Sequence, residues 1–200
     1  GTTSIIDTTN NGGNTTGAGI TLGGAVDGTA DNAQSLTLNA GTGGAIDVQS
    51  TIGATASKQL ATLTVTDSNG ATFTGAVTTD TSVVLTDTTD AAAITFNGAL
   101  TTPTLTTAAQ GYNLVLNGGA TITSAFTATH TGTLTLGNDA ADVLLFDGGV
   151  TATAPSGVTL NGTLRTSGDT VSLGDAGTAL TLAGTTSIID TTNNGGNTTG

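Results

Sequence analysis

Short runs in which apolar and polar residues alternate recur along the whole chain. Most of these runs place two aliphatic residues on either side of a polar one, which is the pattern of a strand with one buried face. Clusters of Gly, Asn and Asp separate them, at 67–70, 137–139 and 174–175 among other places, and these residue types favour turns. The pattern predicts an all-β fold of short strands, the clearest at 20–22, 36–38, 63–65, 83–85, 114–116, 134–136, 158–160, 171–173 and 180–182.

A short internal period relates several of these strands. Residues 70–79 match residues 93–102, which aligns Phe73 with Phe96, and looser copies occur at 145–151 and 159–164. A repeat of this length with several short strands is typical of one coil of a β-solenoid, in which each coil covers the apolar face of its neighbours. We therefore predict a parallel β-helix with about 20–23 residues per coil.

A second, much longer period is visible at the two ends of the sequence. Residues 1–17 and 184–200 are identical, so position 184 corresponds to position 1. Identity of this length is the signature of a tandem array. We predict that residues 1–183 form one full period of a continuous solenoid, with about eight or nine coils, and that 184–200 begin the next period. We expect the array to continue beyond both ends, with the two copies at equivalent positions on one axis.

An alternative all-β architecture is a string of sandwich domains joined by hairpins. That fold needs a larger aromatic core, and aromatic residues make up 2% of this chain. Asn-Gly pairs, which suit hairpin turns, keep the alternative open. Pro103 and Pro155 fit the solenoid if each lies at a corner or in a loop, because proline cannot donate to a central strand ladder.

Composition narrows the classes of partner. The chain carries 14 Asp, no Glu, one lysine (Lys58) and one arginine (Arg165), for a net charge of −12. This charge argues against nucleic acid and anionic membrane surfaces as partners. No stretch approaches the length of a membrane span, so we expect no membrane insertion in this segment. The absence of Cys leaves the redox compartment open.

Few residues suggest catalysis or metal binding. His130 is the only histidine, has no Cys to pair with, and is expected to be a solvated or incidental side chain. Asp139 and Asp142 are weak Ca²⁺ candidates, since 137–142 has the Gly/Asp character of a calcium-binding turn without its tandem nonapeptide. We expect Asp to cap turns, Lys58 and Arg165 to lie at the surface, and the chain to have no enzymatic activity, catalytic residue or cofactor.

Threonine offers a different possibility. The chain has 50 Thr, many in Thr-x-Thr triplets such as 64–66, 72–74, 121–123 and 133–135. Thr-x-Thr stacked at one fixed place in every coil would order water and bind ice, and repeated Thr and Asn would suit polysaccharide. In the sequence the triplet wanders, so we expect Thr to act mainly as a strand former facing solvent. Stacked Asn10, Asn11 and Asn14 are expected to form hydrogen-bonded ladders.

The chain resembles the large repetitive exoproteins of bacteria, namely filamentous-haemagglutinin-like and autotransporter-type adhesins. The resemblance rests on segments such as 35–46 (SLTLNAGTGGAI) and 132–137 (GTLTLG). It implies a right-handed parallel β-helix that is extracellular, at the bacterial cell surface. The leading hypothesis is thus a structural shaft or filament that attaches a cell to surfaces or other cells. Its expected partners are tandem copies of itself, with lateral association into fibres and polysaccharide as further possibilities. The alternative is a solenoid module whose lateral Thr/Asn face binds carbohydrate or ice.

Overall fold

The computed structural model describes residues 1–196, and every regular element in them is a strand. Most strands are short, while β5, β7, β17 and β19 are longer because they run through a corner of the coil. The strands are β1 (Thr2–Asp7), β2 (Ile20–Leu22), β3 (Gln34–Asn39), β4 (Ile46–Val48), β5 (Leu60–Asp67), β6 (Ala71–Phe73), β7 (Val77–Leu85), β8 (Ala93–Phe96), β9 (Leu100–Thr102), β10 (Thr104–Thr107), β11 (Asn113–Leu116), β12 (Ala120–Ile122), β13 (Phe126–Thr127), β14 (Thr133–Leu136), β15 (Val143–Phe146), β16 (Val150–Ala152), β17 (Gly157–Arg165), β18 (Val171–Leu173) and β19 (Ala179–Asp190).

The strands stack into three faces, and every pair between named strands is parallel. The first face contains β1, β3, β5, the end of β7, β10, β13, β16 and β18. The second contains β2, β4, β6, β8, β11, β14 and the first halves of β17 and β19. The third contains Val26, Ile52, the start of β7, β9, β12, β15 and the last halves of β17 and β19. Parallel pairing throughout excludes the hairpin sandwich.

Each face has eight strand levels, so seven turns separate the first level from the last. On the second face Ile20 lies at the first level and Leu180 at the eighth. The average over these turns is about 23 residues per turn. Single turns vary in length, since Ile20 pairs with Ile46 whereas Ala93 pairs with Asn113. The structure therefore confirms the predicted β-solenoid and its coil length, and all nine predicted strands are present.

The interior consists of columns of apolar side chains, mostly aliphatic, with one residue per level. On the second face, the column of Phe73 and Phe96 continues through Leu116, Leu136 and Leu160, and all five are fully buried. Phe73 and Phe96 are direct partners in the ladder, which confirms the match seen in the sequence. Each buried residue is covered by the levels above and below it. Burial of one such side chain contributes about 1.5–3 kcal/mol.

A close approach between coils explains one glycine at the corner between the second and third faces. A Cβ at Gly98 would lie 2.3 Å from the carbonyl carbon of Gly75 in the preceding coil. No side chain fits in that space. Glycine here allows the backbone to turn the corner without pushing the two coils apart.

Corner loops absorb the variation in coil length. Residues 27–33 and 53–59 protrude from consecutive levels between the third and first faces, and they bond to each other. The Thr55 hydroxyl donates to the Asp27 carboxylate, and the Gln59 N–H donates to Asp31 at 3.0 Å. Because these insertions stack outside the ladder, the strands keep their register while the sequence spacing between equivalent positions changes.

The two identical segments lie on different faces. The first copy supplies β1 at the first level of the first face, where Ile6 pairs with Leu38. In the second copy, residues 187–190 lie at the eighth level of the third face, where Ile189 pairs with Leu164; residues 197–200 of this copy lie outside the described part of the chain. This placement differs from the expected equivalent positions. The physical reason is that the first turn is long: Ile6 pairs with Leu38, 32 residues later, so one period falls short of eight whole turns.

Candidate functional surfaces

His130, the chain's one histidine, is buried. The expectation that it is solvated is therefore wrong, while the expectation that it is incidental stays a prediction. Its ring stacks on Tyr112 of the preceding coil with centroids 5.3 Å apart and planes 12° apart. The Tyr112 hydroxyl donates to the Leu85 carbonyl at 3.0 Å.

A second pair of buried polar side chains lies elsewhere in the core, where Ser68 and Thr88 hydrogen-bond to each other at 2.9 Å. No sequence pattern signals these buried polar groups, because polar side chains inside a solenoid follow from the local corner geometry.

The environment of His130 favours its neutral form. Burial lowers the pKa of the imidazole to about 4, and the nearby backbone of Thr133 opposes this shift. Neither ring nitrogen makes a hydrogen bond of good geometry within residues 1–196. Burial also raises the pKa of the Tyr112 phenol. Both rings are therefore uncharged at neutral pH and serve as packing elements of the core.

Asp139 and Asp142 hold the turn in which they lie. The Asp142 carboxylate accepts the N–H groups of Asn138 and Asp139 at 2.8 and 2.9 Å, and the Asp139 carboxylate accepts the Ala141 N–H at 2.9 Å. Within the described residues no group of three or more potential metal ligands occurs. The arrangement shows the turn-capping use of Asp, and Ca²⁺ binding at this pair stays a prediction.

A second Asp turn occurs twice, once in each copy of the identical segment. Asp7 accepts the N–H and the hydroxyl of Thr9 at 2.7 and 2.6 Å, and its other oxygen accepts the Asn11 N–H at 3.0 Å. Hydrogen bonds from the side chain and then the backbone of Thr9 lower the pKa of Asp7. Asn10 and Asn11 have φ values of 53° and 54° in this turn. These two asparagines therefore shape the turn. A side-chain hydrogen bond between asparagines of adjacent coils occurs elsewhere, where Asn117 donates to Asn97 at 2.9 Å.

The copy at the other end has the same turn with one addition. Asp190 accepts the N–H and the hydroxyl of Thr192 at 2.8 and 2.7 Å. The Arg165 side chain also donates from Nε to Asp190 Oδ2 at 3.1 Å. Hydrogen bonds from Thr192, then from the Asn194 backbone and from Arg165, lower the pKa of Asp190 to about 2. Arg165 is thus a half-buried ion-pair partner, whereas Lys58 is exposed in its loop.

Threonine is the main residue in one outward-facing column on the second face. The ladder register aligns one outward position in all eight coils, and six of the eight residues are Thr. The column confirms Thr as a strand former that faces outward. Its alignment is hidden in the sequence because corner insertions change the spacing between coils. We call it the threonine column: Thr21, Asp47, Thr72, Thr95, Val115, Thr135, Thr159 and Thr181.

Clefts lie beside both ends of the described solenoid. One of about 510 Å³ lies at the eighth level and is lined by Gly168, Asp169, Thr170, Val171, Ile189 and Thr191. The other, about 180 Å³, lies under the first copy of the Asp turn and is lined by Thr9, Gly12, Thr15, Asn39, Thr66 and Asp67. Burial, and then repulsion from Asp87, raise the pKa of Asp67 beside it. The larger cleft borders interior-facing side chains that no further coil covers within the described residues.

Comparisons of this chain with protein-family models, with curated proteins and with solved structures found no match. The fold is therefore established by its strand ladder, which is compatible with a filamentous-haemagglutinin-like repeat. Among residues 1–196, no helix is long and apolar enough to cross a membrane.

Proposed function

We propose that this chain is one segment of a structural shaft, an extracellular filament built from tandem copies of the period 1–183 that attaches cells to surfaces or to each other. The observation that carries the proposal is that residues 1–17 recur without change as residues 184–200, in a solenoid whose described strands pair in parallel along one axis. Within the described residues, β1 bonds to β3 alone and β19 bonds to β17 alone.

The inter-strand hydrogen bonds of a parallel solenoid run along its axis, so three ladders join each coil to the next. The net charge of −12 per chain keeps such a shaft hydrated and separated from its neighbours. A cell-surface spacer needs a stiff axis and a hydrated lateral surface.

The length of the assembly tests this proposal. Chains of one, two and four periods should form single rods whose length grows by about 37 Å per period, at roughly 4.8 Å per turn. Negative-stain microscopy and small-angle scattering both report that length. Compact particles whose length does not grow with the number of periods would overturn the shaft.

Location at the bacterial cell surface is a separate part of the proposal and has its own test. Antibodies raised against the folded chain should label intact source cells. If labelling appears only after the cells are permeabilised, the chain is not an exposed filament.

A second candidate function is a lateral binding face for polysaccharide or ice, favoured by the threonine column. Thr95→Tyr and Thr135→Tyr would interrupt that column, whereas Thr101→Tyr on the third face would leave it intact. A binder should lose glycan-array or ice-affinity signal with the first two variants and keep it with the third. A blank result for the unmodified chain excludes this function.

A further inference from the structure

The same sequence makes the same turn on two different faces. The Asp–Thr hydrogen bonds are 2.7 and 2.6 Å long in the first copy and 2.8 and 2.7 Å in the second. Asn193 and Asn194 have φ values of 51° and 59°, close to those of Asn10 and Asn11. In both copies the second Ile points inward, since its ladder partner, Leu38 or Leu164, is buried. The segment therefore encodes its own strand and turn, whichever face it occupies.

The two copies are paired on opposite edges. The first copy has β3 after it along the axis, and the second copy has the end of β17 before it. Each copy thus shows one half of a complete three-strand arrangement. Taken together, they place Ile6, or its equivalent Ile189, between Leu164 on one side and Leu38 on the other.

We propose that superposing the two copies gives the joint between consecutive periods, and that each period advances the solenoid by seven and two-thirds turns. This joint rests on the tandem shaft proposed above. Seven turns lead from the first level to the eighth, and the third face lies two-thirds of a turn after the first. Each period is consequently rotated by one third of a turn relative to the period before it.

This rotation continues the apolar columns across the joint. After the second copy, the chain of the next period returns to the first face, so its Ile20 and Leu22 stack on Val171 and Leu173. These four residues face the interior, and Leu22, Val171 and Leu173 are partly buried against the core in the end coils. The cleft of about 510 Å³ beside Val171 is the space that the incoming strand fills.

The second face accepts the following segment in the same way. Val26 of the next period stacks above Leu180 and Leu182, which pair with buried Val158 and Leu160 on their other side. Leu182 is 63% exposed in the eighth coil. An apolar side chain that points into a column yet stays this exposed is covered once another coil follows.

Polar groups at the joint are complementary too. In the second copy, Asp190 forms an ion pair with Arg165 of the preceding level. In the first copy, the Asn39 side chain of the following level donates to the Thr9 hydroxyl at 3.3 Å. In a continuous shaft the same Asp turn contacts both the arginine of the preceding level and the asparagine of the following level. Asp7, which has no basic partner within the described residues, then receives the arginine of the period before it.

The rotation has a consequence for recognition. Features of one face, such as the threonine column, point in a new direction in each period and return to the first direction after three periods. A shaft built this way presents every surface on three sides, so it can contact a ligand without being turned about its axis.

Paired cysteines in a two-period chain test the rotation. Because the natural sequence has no Cys, a chain of residues 1–183 followed by residues 1–200 reports only the thiols introduced. The test pair is Ser172→Cys in the first period with Thr21→Cys in the second. The control pair is Thr181→Cys in the first period with the same Thr21→Cys. All three positions face outward on their strands.

The proposal predicts that the test pair forms a disulfide under mild oxidation, because neighbouring parallel strands bring the Cα atoms within the roughly 4.4–6.8 Å that a disulfide requires. The control pair should oxidise at least tenfold more slowly, since its two positions lie on different faces. Thiol counting with a maleimide reagent measures both.

The opposite result, a disulfide in the control pair alone, would show a period of eight whole turns and overturn the rotation. Failure of both pairs in a chain that forms a single rod would overturn the joint itself. Either result leaves the shaft standing, because rod length is measured independently; a chain that forms no rod overturns the shaft.

Discussion

Phe73 and Phe96 lie on adjacent coils with their ring centroids 4.7 Å apart and their planes 7° apart. They are direct partners in the second-face ladder although a whole coil of sequence separates them. The stack shows how a chain with four Phe and no Trp builds a core. Like residues at like places in successive coils fill one narrow column.

Removing one ring of this stack should cost much of the local stability. Phe96→Ala leaves a cavity in a fully buried column, and we expect the free energy of unfolding to fall by about 3–5 kcal/mol. Guanidinium denaturation measures the change. Thr95→Ala, one position away on the outward side, is the control and should cost less than about 1 kcal/mol. Equal effects of the two substitutions would contradict the assigned directions of the side chains.

The corner at Gly98 gives a second prediction. Gly98→Ala places a methyl group 2.3 Å from the Gly75 backbone, and we expect a loss of about 1–3 kcal/mol from the forced separation of the coils. Gly157→Ala is the matched control, because its Cβ would meet no atom within 4 Å. Thermal unfolding should separate the two variants. A neutral Gly98→Ala would mean that the coils are not in close contact at this corner.

Burial of His130 predicts a dependence of stability on pH. The pKa in the folded protein is about 4, below its ordinary value of 6.5, so the unfolded chain takes up the proton first as the pH falls. Stability is complete above pH 6.5 and decreases as the pH falls from 6.5 towards 4. Between pH 7 and pH 5 we expect a loss of about 2 kcal/mol in urea denaturation.

His130→Phe is the control for this pH effect, because a phenyl ring keeps the stack on Tyr112 and cannot be protonated. The loss between pH 7 and pH 5 should be absent in that variant. If the variant shows the same loss as the natural sequence, the titrating group is not His130.

Limited proteolysis distinguishes the two trypsin sites. Lys58 is exposed in the loop at 53–59, while Arg165 lies in β17, which bonds to β15 and β19 on its two sides. We expect trypsin to cut the folded chain after Lys58 first, and the two fragments to stay together on a sizing column. Lys58→Gln should remove the early cut. Cleavage after Arg165 at an equal rate would show that the β17 ladder opens readily.

Strands and turns were predictable from the sequence because both depend on local chemistry. Alternation placed the nine strands, and Gly70, Gly137 and Gly174 all adopt positive φ in the predicted turns. The match of Phe73 with Phe96 even indicated the correct register. In these places a short stretch of residues determines the structure on its own.

The threonine column and the burial of His130 could not be predicted from short stretches of the sequence. Both depend on which residues lie above and below, and the lengths of the corner loops decide this. Insertions such as 27–33 and 53–59 add residues outside the ladder, so equal positions on a face do not recur at an equal sequence spacing. The face occupied by the second copy of the repeat was unpredictable for the same reason.

Cryo-electron microscopy of a four-period chain tests most directly whether tandem periods form one continuous solenoid. A continuous solenoid gives an unbroken rod with a rise of about 4.8 Å per turn and a length of about 37 Å per period. A row of separate particles joined by flexible links, or a rod with no axial repeat near roughly 4.8 Å, would contradict it.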